Sequence, residues 1–205
     1  SLAEEACTAA GDVPILYLDA LPVADRGDIP DPLQDATAIQ QVQYTSGSTG
    51  QPRGVMRTHH ASLTSAWRAR YELQCGPGSR VAQLSSYAFG MANAPIYGAL
   101  LTGATLYPLA VRTLDAGALY DWLLREGITQ ADMSVGTVRN LVQAATGRPP
   151  LAALRYLVTG GEAMTGEEVA RACGLMEAGG NFVTRLASTE AGTYGQFVAR
   201  AGAEP

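Results

Sequence analysis

Charge is scarce in this chain: 16% of its 205 residues are charged, and they sum to −5 at neutral pH. No basic cluster offsets that balance, so no nucleic acid is expected as a partner. Cysteine is scarce too. Cys7, Cys75 and Cys173 are odd in number and far apart in sequence, which indicates neither a disulfide framework nor a zinc site. No apolar run approaches the length that spans a membrane and the start does not resemble a signal peptide, so no membrane is expected as a partner and the cytoplasm is the default location. Catalytic signatures of other folds are missing as well. Without a Gly-x-Ser-x-Gly elbow the α/β-hydrolase reading falls away, and without a Gly-Lys pair the phosphate loop of nucleotide hydrolases is incomplete. His59 and His60 have no Ser or Cys nucleophile motif near them, so they make no triad. No internal repeat or low-complexity stretch stands out.

What is present is a core-forming composition, 47% hydrophobic, arranged as short apolar runs alternating with longer helical stretches. That alternation predicts an α/β fold of layered sheets flanked by helices. Strands are expected at about Val13 to Leu18, Gln41 to Tyr44, Gly54 to Met56, Arg80 to Leu84, Thr105 to Leu109, Gln130 to Ser134, Arg155 to Val158 and Asn181 to Leu186. Helices are expected at about His59 to Leu73, Ala92 to Leu101, Asp115 to Arg125, Thr137 to Ala145 and Gly166 to Met176. The three prolines between Arg26 and Asp35 read as a surface connection. Leu63, Trp67 and Tyr71 are spaced as one helix face and are expected in the core.

The densest chemical signal runs from Tyr44 to Val55, Tyr-Thr-Ser-Gly-Ser-Thr-Gly-Gln-Pro-Arg-Gly-Val. Thr45, Ser46, Ser48 and Thr49 supply hydroxyls that donate to phosphate oxygens. Gly47, Gly50 and Gly54 let the backbone approach a ligand closely, and Arg53 adds a fixed positive charge. Flanked by two short strands, this segment reads as a phosphate-gripping loop on rigid supports. A flexible Gly/Ser linker would not need the ordered Pro-Arg-Gly-Val exit.

At these residues the chain resembles the adenylate-forming superfamily, which includes acyl-CoA and aryl-CoA synthetases, luciferase and the adenylation domains of nonribosomal peptide synthetases. Arg53 stands where that family usually has lysine. Three further segments agree in order. Ser86 to Leu106 is similar to the family's substrate-pocket helix, with an aromatic mouth at Phe89; Leu154 to Met164 resembles the strand and turn beside adenine; and Leu186 to Gly192 resembles the Tyr-Gly-x-Thr-Glu segment. In the last, Thr189 and Glu190 are intact, while Leu186 replaces the aromatic over adenine and Ala187 the usual glycine.

The resemblance implies ATP-dependent activation of a small carboxylic acid as an acyl-adenylate, with ATP and Mg2+ as cofactors. A phosphopantetheine thiol on a carrier protein, or CoA, would be the acceptor. It assigns ATP contacts to Thr45, Ser46, Gly47, Ser48, Thr49, Gly50, Arg53, Gly161, Glu162, Ala163, Leu186, Ala187, Ser188 and Thr189, catalytic roles to Thr189 and Glu190, and metal ligation to Glu190 and Thr45. It assigns the acid pocket to Phe89, Gly90, Met91, Ala94, Met133, Val158, Gly160, Arg185, Thr193 and Tyr194. In amino-acid-activating members an aspartate follows the aromatic mouth and pairs with the α-ammonium; here Gly90 does, which implies an acid without an α-amino group. Arg185 would pair with a second carboxylate or keto oxygen of the substrate, or with another part of the fold. Residues 1–205 are expected to be part of the large N-terminal portion of such a domain. The ribose-binding Thr-Gly-Asp segment and the C-terminal lid with its lysine are absent from these residues, so the chain alone is expected to be inactive. A non-catalytic nucleotide-binding or scaffold module derived from the same domain is the alternative.

Overall fold

The computed structural model describes residues 35–46, 51–87, 89–111 and 114–203, all of which belong to a single contact unit. The strand expected at Val13 to Leu18, most of the proline-rich connection, and Gly47, Ser48, Thr49 and Gly50 of the loop lie outside the described residues. The strands on either side of that loop do form. β1 (Ile39–Ser46) pairs antiparallel with β2 (Pro52–Thr58), from Ile39 opposite Thr58 to Ser46 opposite Pro52.

A second sheet of six strands forms the body. In chain order it contains β3 (Arg80–Gln83), β4 (Thr105–Pro108), β5 (Gln130–Asp132), β6 (Tyr156–Gly160), β7 (Asn181–Ser188) and β8 (Gly192–Arg200). Its spatial order is β4-β3-β5-β6-β7-β8, parallel throughout except for antiparallel β8 at the edge. The chain steps from β3 outward to β4 and then returns across β3 to build β5, so the winding direction reverses between β3 and β5. Ligands of such sheets enter at the carboxyl ends of the strands beside that reversal.

Among the described residues five α-helices cover the sheet: α1 (His59–Tyr71), α2 (Asn93–Leu100), α3 (Ala116–Arg125), α4 (Val135–Ala144) and α5 (Gly166–Cys173). On one face Ala82, Ala131, Leu157 and Phe182 lie side by side in register and pack against Leu119, Leu123, Val138 and Leu141 of α3 and α4. On the other face Val81 meets Ala69 of α1 and Ala99 of α2, while Val158 and Val183 meet Leu73. Thr58, Asp115, Ser134 and Thr165 each accept a backbone N–H at a helix start, which explains where four of these helices begin.

Two sequence expectations need correction. Leu63, Trp67 and Tyr71 are exposed, not core. α1 instead buries Ser62, Ala66 and Ala69, because a face of small residues admits α2 at close range. A Cβ on Gly98 would stand 2.8 Å from that of Ala69, so any larger residue there would force the two helices apart. The second correction is β8, which sequence reading did not anticipate: Gly192 and Gly195 interrupt it, and its mostly exposed residues carry no alternating burial signal.

Candidate functional site

The carboxyl ends of β3, β4, β5, β6 and β7 open into a cleft of about 1490 Å³. Its opposite wall is built by β2 and α1, through residues that include Arg57, His60, Thr64 and Arg68. Two arginines fasten that wall across the cleft. Arg57 Nη1 donates to the carbonyl oxygen of Thr189 at 3.1 Å, and Arg68 Nη2 donates to that of Thr193 at 3.1 Å. Both carbonyls flank the turn between β7 and β8, so a hydrogen-bonded bridge holds the hairpin and α1 over the site. Sequence reading missed both arginines, since their partners are more than a hundred residues away in the chain.

Most of the sequence-selected residues converge on this cleft. Phe89 lies at its exposed mouth, and Gly90 and Met91 begin the 3-10 turn that leads into α2 and Ala94. Val158, Gly160 and Gly161 come from β6 and the turn after it. Arg185, Ala187, Ser188, Thr189, Glu190 and Thr193 come from β7, β8 and their turn. The acid-pocket and Thr-Glu segments therefore touch: a Cβ on Gly90 would sit 3.7 Å from Thr189 Oγ1 and 3.4 Å from Gln43 Oε1. Gly160 is close-packed in the floor, where a Cβ would come within 2.7 Å of the Arg185 carbonyl oxygen.

Other selected residues stand apart from it or only border it. Thr45 and Arg53 face each other across the hairpin, with the Thr45 hydroxyl 3.5 Å from the Arg53 carbonyl oxygen, and neither lines the cleft. Ser46 occupies the end of β1. Glu162 and Ala163 are held by Arg139, which ion-pairs with Glu162 at 3.2 Å and Glu168 at 2.7 Å and donates to the Ala163 carbonyl at 3.3 Å. Leu186 is exposed on β7, and the exposed Tyr194 shares a hydrogen bond with the Ser188 hydroxyl. Met133 borders the cleft, but its side chain is buried in the main core. Its neighbour Asp132 faces the other way.

Asp132 is the unexpected member of the site. It lines the cleft at 7% exposure, and no described residue donates a hydrogen bond to it. Burial raises its carboxyl from 3.8 to about 7, a shift that the Arg185 guanidinium opposes. Arg185 Nη2 itself lies 3.9 Å from Glu72 Oε2, and its Nε and Nη2 are buried without a hydrogen-bond partner. Of the two partners considered for Arg185, the fold supplies the internal one.

Because the folded chain holds the Asp132 proton more tightly than the unfolded chain, this group's contribution to stability is complete below pH 3.8 and is lost as pH rises through about 7. Asp132→Asn is therefore expected to stabilise the fold at about pH 8 by on the order of a few kcal/mol, with the gain shrinking toward about pH 4. Thermal melts of both proteins across that range check this. A difference independent of pH would contradict it.

Glu190 is an exposed carboxylate on the cleft, and no group of three or more His, Cys, Asp or Glu able to hold a metal occurs among the described residues. That donor set fits Mg2+, which is commonly held by one or two carboxylates together with a ligand's phosphates and water.

Comparisons with known proteins agree with this architecture. The family model described as AMP-binding enzyme matches residues 4–203. Gramicidin S synthase 2 from Brevibacillus brevis is 31% identical over 159 residues, covering 77% of this chain and 4% of that protein. Among solved structures, a nonribosomal peptide synthetase protein containing adenylation and PCP domains, bound to a vinylsulfonamide inhibitor, is 27% identical with a TM-score of 0.76; the match covers 93% of this chain and 32% of that one. The N-terminal subdomain of Klebsiella oxytoca NpsA, in complex with 3-hydroxyanthranilyl-AMSN, shares the fold at 22% identity and a TM-score of 0.70, covering 82% of this chain and 42% of the other. The chain spans 1% to 4% of the length of the curated relatives it matches. No helix among the described residues is long and apolar enough to cross a membrane.

Proposed function

The chain belongs to the AMP-binding enzyme family, and from that membership we propose that its residues form the N-terminal core of an adenylation domain that activates a carboxylic acid as its acyl-adenylate. In the step proposed, a carboxylate oxygen attacks the α-phosphorus of ATP and pyrophosphate leaves. Two anions must be held together while negative charge builds on the phosphate oxygens, so aimed donors and cations dominate the catalysis. The loop from Thr45 to Arg53 grips the β- and γ-phosphates, and Thr189 meets the α-phosphate. Glu190 would hold Mg2+, which neutralises phosphate charge when bound. Leu186 offers an apolar surface near the adenine turn at Gly161. The acyl group then passes to a thiol, either phosphopantetheine on a carrier protein or CoA; the adenylation and PCP domains of the solved relative favour the carrier protein.

The observation that carries this reading is the closeness of Gly90 to Thr189, with 3.7 Å from a Cβ at the first to the hydroxyl of the second. An acid seated beside Gly90 has its carboxylate next to the residue assigned to the α-phosphate. No carboxylate stands at Gly90, so we read the substrate as an acid without an α-ammonium group.

The chain has no lysine, all 14 basic residues being arginine; the lid lysine implied by the family resemblance would have to come from elsewhere in the intact protein. The complex of the NpsA N-terminal subdomain with 3-hydroxyanthranilyl-AMSN supports the reading that such a core holds a ligand. Holding is not turnover, since a moving lid completes the charge arrangement. Pyrophosphate exchange into ATP tests both points across α-amino, α-keto, aryl and fatty acids. The intact protein is expected to exchange in the presence of an acid lacking an α-amino group, and residues 1–205 alone to stay near background. Failure of every acid in an intact protein that still binds nucleotide would return the reading to a scaffold module.

A further inference from the structure

Among the described residues, three arginines line the cleft: Arg57, Arg68 and Arg185. Two of them have carboxylates at hand. Arg68 Nε and Arg185 Nη2 each lie 3.9 Å from an oxygen of Glu72, and Arg185 also acts electrostatically on Asp132. No described carboxylate pairs with Arg57, although Glu190 lines the same cleft. Its hydrogen bonding is unfinished as well. A guanidinium carries five N–H donors in a rigid fork. Arg57 Nη1 donates to the Thr189 carbonyl oxygen at 3.1 Å, Nε is buried without a partner, and Nη2 has no partner among the described residues. Polar groups shut away in native proteins almost always have partners, and a guanidinium in a cleft with open donors and no counter-charge suits an oxyanion.

The bond to Thr189 indicates which oxyanion. Arg57 rests on the carbonyl of that residue, while its hydroxyl stands 3.7 Å from a Cβ placed on Gly90. Carbonyl and hydroxyl belong to one residue, so the guanidinium, the residue proposed for the α-phosphate and the proposed seat of the acid meet in one place. Arg57 arrives there on β2, the strand that leaves the phosphate loop, and Thr189 arrives on the turn between β7 and β8.

We propose that Arg57 is a further catalytic residue of the adenylation step, its open Nη2 donating to a non-bridging oxygen of the ATP α-phosphate. This rests on the acid-activating reading above and adds a cation at the reacting phosphorus. As the carboxylate oxygen bonds to the α-phosphorus, the bond from that phosphorus to the oxygen shared with the β-phosphate breaks, and its electron pair leaves with pyrophosphate. No proton is transferred. Negative charge gathers on the non-bridging oxygens meanwhile, and a guanidinium already fixed on the Thr189 carbonyl meets it without reorganising. Arg57 stays protonated throughout.

The test compares acid-dependent pyrophosphate exchange by the intact protein with that of Arg57→Gln and Arg57→Lys. Both replacements keep N–H groups that can bond the Thr189 carbonyl, so a bridge that only holds the wall would treat them alike, whereas a charge on the phosphate would not. Arg57→Gln is expected to lower kcat at saturating ATP and acid by about a hundredfold. Arg57→Lys, which keeps the charge but loses the fork, should lower it by about tenfold. The contact itself is read with ATP carrying sulfur in place of one non-bridging α-oxygen, supplied as its two separate diastereomers. Sulfur at the oxygen that Arg57 holds weakens the bond, so the wild-type rate ratio between diastereomers should change by about threefold or more in either variant. That ratio in Arg57→Lys decides the matter should Arg57→Gln not fold. The inference is overturned if Arg57→Gln keeps the wild-type kcat, if both variants lose it equally, or if the diastereomer ratio does not move. Each of these would leave acid activation standing, whereas no exchange by the wild type with any acid would bring down both.

Discussion

Glu190→Gln is expected to cut acid-dependent pyrophosphate exchange by the intact protein about a hundredfold or more, the range seen when one element of transition-state charge stabilisation is removed. The substitution keeps size and shape, and removes the one negative charge by which this turn would hold a hard cation. Glu190 is exposed and makes no hydrogen bond or ion pair to other described residues, so melting behaviour should stay within about 0.5 kcal/mol of wild type. A loss of activity with folding intact places the effect in the metal and phosphate charge. Raising Mg2+ should recover part of the activity by mass action. Near-normal exchange by Glu190→Gln at limiting Mg2+ would remove Glu190 from the metal site.

The second large effect is expected at Gly90. An α-ammonium placed there gives up hydration and gains no ion pair, an imbalance on the order of a few kcal/mol or about a hundredfold in specificity. For matched acids such as a 2-keto acid and its amino acid, the intact protein should prefer the keto acid by about that factor. Gly90→Asp should narrow or reverse the preference. The backbone can accept the change, because Gly90 does not have a positive φ and the three atoms nearest the new Cβ are side-chain atoms of Gln43 and Thr189, at 3.4 Å or more. Gln43 turns an acceptor oxygen toward that position, held by Asn93 Nδ2 at 3.3 Å, so the new carboxylate would turn toward the Thr189 hydroxyl. A wild-type preference for the amino acid would mean that another residue supplies the α-position charge.

The parts of this site that sequence exposed are those whose chemistry is local. Hydroxyls and glycines between two short strands define a loop whatever surrounds them, and β1 and β2 duly flank it. Phe89-Gly90, Gly160-Gly161 and Thr189-Glu190 were likewise found as short contiguous segments, and the fold brings all three to one cleft. What sequence could not give depends on which neighbour a side chain meets. On β5 the two-residue period says that Asp132 and Met133 point to opposite faces, but only the covering helices decide which face is core. Met133, selected for the pocket, borders the cleft while its side chain packs in the core, and Asp132 beside it on the opposite face lines the cleft as well. On α1 the spacing of Leu63, Trp67 and Tyr71 resembles a buried stripe, yet the close approach of Gly98 to Ala69 selects the small-residue face instead. Arg57 and Arg68 acquire their roles only when the β7–β8 turn arrives opposite them.

The central claim is that a carboxylate oxygen attacks the α-phosphorus of ATP in this cleft, and oxygen tracing tests it most directly. The intact protein would be given ATP, Mg2+ and a substrate acid labelled with 18O in both carboxylate oxygens, with hydroxylamine to intercept the activated acyl group. Attack on the α-phosphorus makes the bridging oxygen of the acyl-adenylate a carboxylate oxygen, and cleavage at the acyl carbon leaves that oxygen on AMP. The account predicts hydroxamate, unlabelled pyrophosphate and AMP carrying one 18O. Hydroxamate formed together with ADP and 18O-labelled phosphate would place the attack at the γ-phosphorus and contradict it.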